Sequence, residues 1–132
     1  MTRYAIDAGI ALRLIREGSD ADPGHQLVGP AVLRSHALAM IYRDVRDGTV
    51  AETEGREQLE RIAALKMRLL GDRVSRATAW KIAAGLGWED IGSAEYLAVA
   101  SLKADALITD DEALAAAADG IVRVAPYEDL FT

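Results

Sequence analysis

Two stretches of the chain end an apolar run in acid. Tyr4-Ala5-Ile6 is followed by Asp7, and Ala106-Leu107-Ile108 is followed by Thr109, Asp110 and Asp111. Carboxylates gathered at the ends of buried strands suit Mg²⁺ or Mn²⁺, hard cations that prefer oxygen ligands and keep several waters. A metal held this way polarises a phosphate and lowers the pKa of a water nucleophile. The same acids have a second explanation. Asp is a common helix cap, and Thr109-Asp110-Asp111 stands directly before Glu112 and the alanine run at 115–118. Spacing alone leaves both readings open.

The elements that would position these acids follow from periodicity. Tyr4–Ile6 reads as a first strand, and Ala8–Arg16 as a helix with Ile10, Ala11, Leu14 and Ile15 on one face. Residues 18–24 are rich in Gly, Ser, Asp and Pro and read as a loop. Gln26–Val28 is a second strand. Pro30 suits the first turn of a helix that runs to about Asp47, with Val32, Leu33, Ala37, Met40 and Ile41 inward. Ala51–Lys66 is a charged amphipathic helix with Leu59, Ile62 and Leu65 inward; Met67–Leu70 is either its end or a short strand. Ser75 looks like the N-cap of a helix through Ala84, ended by Gly85 and Gly87. A further helix spans about Ser93–Leu102. Ala106–Thr109 is a strand, Glu112–Ala118 a short helix, and Ile121–Val124 a last strand. Strands separated by helices predict an α/β fold, a three-layer α/β/α sandwich around a mostly parallel sheet. In such sheets ligands bind at the carboxyl ends of the strands, where Asp7 and Asp110/Asp111 fall.

The bulk properties bound the function. A chain of 132 residues predicts a single domain. No cysteine is present, which excludes disulfides and thiolate metal sites. No apolar run is long enough for a membrane span, and the N-terminus lacks the apolar stretch of a signal peptide, so the expected location is the cytoplasm. A net charge of -6 disfavours passive wrapping of nucleic acid but not a nuclease, which needs acids at its centre. There is no G-x-G-x-x-G, no P-loop and no G-x-S-x-G elbow.

Four segments carry a resemblance, the last of them IVRVAP near the end of the chain. RYAIDAGIAL, GPAVLRSHALAMIYR and, most specifically, AEYLAVASLKADALITDDEAL make the chain similar to PIN domains over nearly its full length. Within that family it resembles the VapC-type toxins of bacterial toxin–antitoxin pairs. The resemblance implies a PIN-like sandwich, a Mg²⁺- or Mn²⁺-dependent endoribonuclease, a homodimer, and an antitoxin-like protein partner. Active members of the family usually carry four acids. The first matches Asp7. The last matches Asp111, with Asp110 beside it and Thr109 as the hydroxyl often kept there. The other two are replaced: the second-helix acid by His36, six residues after Pro30, and the third by Ser93, before Ala94-Glu95-Tyr96. Two of four acids remain, so the resemblance implies weakened or lost cleavage. The alternative is an inactive PIN scaffold that binds protein or RNA.

The replaced positions have their own readings. His36 is either a ligand for a softer ion or a half-buried helix residue making one hydrogen bond. Ser93 either holds a metal-bound water or caps its helix. Glu95 lies about 200° around the helix from Ser93 and cannot take its place, whereas Asp90 reaches in only if the chain turns back. Lys66, Arg68, Arg73, Arg76 and Lys81 form the densest basic group, either an RNA rim or a solvated helix face. Trp80, among Ala79, Ile82 and Ala83, reads as core, and Trp88 as the more exposed aromatic, available to stack on a base.

Overall fold

A computed structural model describes residues 1–132. Four strands, β1 (Thr2–Ile6), β2 (His25–Pro30), β3 (Arg68–Leu70) and β4 (Ala106–Ile108), form one sheet in the order β3-β2-β1-β4. Every pairing is parallel. Helices α1 (Ala8–Glu17), α2 (Leu33–Arg46), α3 (Glu52–Ala64), α4 (Arg73–Gly85), α5 (Gly92–Lys103) and α6 (Glu112–Ala117) connect and cover it. The α1–α3 group packs together, while α4 packs on α5, which lies against β1 and β2. The result is the expected α/β/α sandwich.

The strands carry the core toward their carboxyl ends, while β3 at the sheet edge is only partly buried. Ala5, Ile6, Val28, Leu107 and Ile108 are each at most 2% exposed, and they join one continuous core with Ile10, Leu14, Leu33 and Leu97. The chain runs from β1 outward to β2 and β3, then returns to place β4 on the other side of β1. That reversal makes the β1/β4 boundary the switch point at which parallel sheets hold ligands.

Several boundaries depart from the sequence reading. Pro30 does not open a helix but ends β2, opposite Leu70. The pairing of β2 with β1 has already stopped at Val28, so the missing proline N–H leaves no gap there. The cap of α4 is Asp72, not Ser75. Its carboxylate accepts the Ser75 N–H at 2.8 Å, and this bond holds the Asp72 pKa low. Ile121–Val124 forms no strand; a single bridge joins Leu107 to Val124, with Leu107 N–H donating to Arg123 at 2.8 Å. Met67–Leu70 resolves as strand at Arg68–Leu70.

The tryptophans are reversed. Trp80 is 71% exposed, whereas Trp88 is half-buried against the core. The α4–α5 contact is lined by Ala79, Ala83, Ala94 and Ala98. Four small side chains bring the helices close, and Trp80, one residue from Ala79 and hence about 100° around α4, turns out to solvent.

Candidate functional site

Parallel register places the acids together. Ile6 pairs with Ile108, so Asp7 and Thr109 are the next residues on adjacent strands. The Thr109 hydroxyl donates to Asp7 Oδ2, and the Ile10 N–H donates to Asp7 Oδ1 at 2.9 Å. Asp7 is thus both the N-cap of α1 and a member of the strand-end cluster. The Asp111 N–H donates to Thr109 Oγ1 at 3.0 Å, which joins the three residues into one chain of bonds. Asp111 Oδ1 accepts from Ala113 and Leu114 at 2.9 and 3.1 Å and caps α6, while its Oδ2 has no partner within the protein. Capping and clustering both hold for these acids.

Burial pushes the Asp7 pKa up from the ordinary carboxylate range. The Thr109 and Ile10 hydrogen bonds oppose this, and the nearby charges of Asp111 and Asp110 add to it. Asp110 itself turns to Arg13, whose Nη1 lies 3.2 and 3.3 Å from its two oxygens. Arg13 also pairs with Glu17 at 3.1 Å and sits 3.7 Å over the Tyr127 ring.

These acids form one wall of a cleft of about 390 Å³ at the carboxyl edge of the sheet. His36 and Ser93 both line it, together with Tyr96, Met40 and Arg43. His36 is half-buried, and its Nδ1 lies 2.8 Å from the Tyr96 hydroxyl, with the rings tilted at 33°. Ser93 is exposed and does not cap α5, because the helix opens at Gly92 with Ile91 in the cap position. Asp90 does not reach the cleft; its Oδ1 accepts the Gly92 N–H at 2.8 Å.

Of the basic group Lys66, Arg68, Arg73, Arg76 and Lys81, no residue lines the cleft. The first turn of α4, beside Arg73 and Arg76, forms a separate depression with Val99, Leu102 and Lys103 at the far end of α5 from Ser93. Arg43 is the cation in the cleft, and periodicity had a signal for it, since it stands seven residues after His36. Tyr96 was also missed. It lies three residues after Ser93, one turn along the same helix face.

The donor set fits a divalent cation in part. Two carboxylates, one with a free oxygen, suit a Mg²⁺ that takes its other ligands from water and substrate phosphate. They do not make a closed cage, because no three His, Asp or Glu side chains are arranged to hold a metal. His36 adds no third ligand through Nδ1, which Tyr96 occupies.

No family model matches the chain, and no curated protein matches it. Among solved structures, the crystal structure of PAE2754 from Pyrobaculum aerophilum is similar, with a TM-score of 0.74 and 22% identity over 98% of this chain and 92% of that one. At that identity the likeness is one of fold.

Proposed function

We propose that the chain is a VapC-like PIN-domain protein whose cleft is a reduced metal-dependent ribonuclease centre. The observation that carries this is the Asp7–Thr109–Asp111 chain of hydrogen bonds at the β1/β4 switch point. Asp7 and Asp111 would hold a Mg²⁺ or Mn²⁺ ion, which when bound supplies charge for a phosphodiester and an activated water. Thr109 fixes the rotamer of Asp7, and the α6 cap fixes Asp111 with Oδ2 left over. Asp110 assists less, since Arg13 offsets its charge. With His36 and Ser93 in place of acids, two fewer negative charges attract the ion, so affinity and turnover are low. Toxin–antitoxin pairing, a cytoplasmic location and a homodimer are part of this reading through the resemblance. Sedimentation of the 14.2 kDa chain tests the last of these.

A second reading is a PIN scaffold that binds without cutting. The absence of three converging metal ligands favours it. Cleavage of single-stranded RNA in Mn²⁺, compared with the same reaction in chelator, separates the two. Metal-dependent cleavage supports the nuclease; intact RNA in both leaves the binding module.

A further inference from the structure

The wall facing the acids is built from α2. His36, Met40 and Arg43 line the cleft from that helix. His36 and Arg43 are seven residues apart, which is nearly two full turns, so they share a face about 10 Å apart along the axis. Met40 stands between them. Arg43 is exposed and makes no ion pair, although the cleft also contains Asp7, Asp110 and Asp111. Arg43 shares this lack of an ion pair with other arginines, Arg46 among them; what sets it apart is its place in the cleft lining beside three acids. A free guanidinium at a cleft wall is a planar fork for phosphate oxygens.

The state of His36 follows from its partner. Tyr96 is a buried phenol and keeps its proton at neutral pH. His36 Nδ1 lies 2.8 Å from the Tyr96 oxygen, and the other group against that oxygen, the Ala8 N–H, is itself a donor, so Nδ1 is the acceptor in reach of the phenol proton. The phenol therefore donates to Nδ1, which leaves Nε2 as the ring's N–H donor. Nε2–H is a donor, which suits a phosphate oxygen and not a cation. The replacement of an acid by His36 thus turns this position from one that attracts metal into one that attracts phosphate.

We propose that His36 and Arg43 form a phosphate-binding wall on α2 that holds a polynucleotide backbone against the Asp7/Asp111 side, His36 through Nε2–H and Arg43 through its guanidinium. This rests on the reading that the cleft takes RNA, but not on any metal or on cleavage.

The test is binding of a short labelled single-stranded RNA to the full chain in chelator, by fluorescence anisotropy over a range of salt. Arg43→Ala should weaken binding about tenfold, as expected for a hydrogen bond to a charged group. It should also flatten the dependence of log K on log salt by about 0.7, one phosphate's worth on a single strand. Arg46→Ala removes the same charge from the same helix outside the cleft and should change neither. Nitrogen-detected NMR of His36 should show Nδ1 bare and Nε2 protonated at neutral pH, and Tyr96→Phe should abolish that preference. Wild type that does not bind, equal losses in the Arg43 and Arg46 variants, or a bare Nε2 would overturn the wall. Failure of cleavage in Mn²⁺ overturns the nuclease reading and leaves these results standing.

Discussion

Asp7 has two duties that pull in opposite directions. It caps α1, and it is a half-buried carboxylate beside two exposed ones. Its folded pKa is raised above the unfolded value, so the protonated form is favoured by folding. That contribution is full below the unfolded value of 3.8 and is lost as pH rises through the higher folded value. At neutral pH the ionised side chain therefore costs stability. Asp7→Asn keeps an acceptor for the Ile10 N–H, since Asn caps about as well as Asp. Thermal melts at pH 7 should show the variant at least as stable as wild type; a large drop would contradict the burial argument. Metal competes with the same proton, so ion affinity should rise with pH through the Asp7 titration. Calorimetric titration at a series of pH values checks this, and affinity independent of pH would count against Asp7 as a ligand.

Asp111 separates its two roles by substitution. Asp111→Ala removes both the α6 cap and the charge, and should cost about 1 kcal/mol of stability, read by denaturant unfolding. Asp111→Asn keeps the cap and should leave stability nearly unchanged. Both variants should lose metal binding. If Asp111→Asn keeps wild-type metal binding, the residue is a cap and nothing more.

Among elements, the α1–α2–α3 layer is tied by one arginine. Arg16 bonds Gln58 through Nε and Nη2 at 3.2 and 3.1 Å and pairs with Asp44 at 2.8 Å. Gln58 is only 2% exposed. Arg16→Ala leaves that amide oxygen buried without a donor, which costs about 1–3 kcal/mol. Urea unfolding should show a loss in this range, whereas Arg56→Ala, which breaks an exposed pair on α3, should fall within about 0.5 kcal/mol of wild type.

The sequence was most legible where one physical signal dominated. Alternating apolar runs and amphipathic helices marked β1, α1, β2, α2, α3, α5 and β4 to within a few residues. The apolar runs before them placed Asp7 and Asp111 at strand ends, but spacing alone left cap and metal readings open, and both residues cap helices. The failures came where tertiary context outweighed local preference. Pro30 looked like a helix start because its fixed φ suits one, but the same φ suits the last residue of a strand. Ser75 lost its capping place to Asp72, three residues earlier, which a preference scale ranks equally. Trp80 looked buried because it stands among alanines, and it was those alanines, packed on α5, that left it no room. Tyr96 and Arg43 enter the cleft through the approach of α2 to α5, a contact between segments 60 residues apart that no window on the chain contains.

For the whole molecule, the switch point is where the cleft lies, and the net charge bears on how a polyanion would reach it. The net charge of -6 opposes a polyanion at long range. On the proposed reading Arg43 and His36 would act only at contact, so RNA binding is expected to be weak and slow to form compared with a basic domain. The account stands on Asp7 and Asp111 as the core of a metal-dependent centre. The measurement that tests it most directly is Mn²⁺ and Mg²⁺ calorimetry on wild type and on Asp7→Asn, with RNA cleavage assayed on the same samples. The account predicts weak ion binding and slow cleavage by wild type, both lost in the variant, which remains folded. Folded wild type that neither binds the ions nor cuts would contradict it.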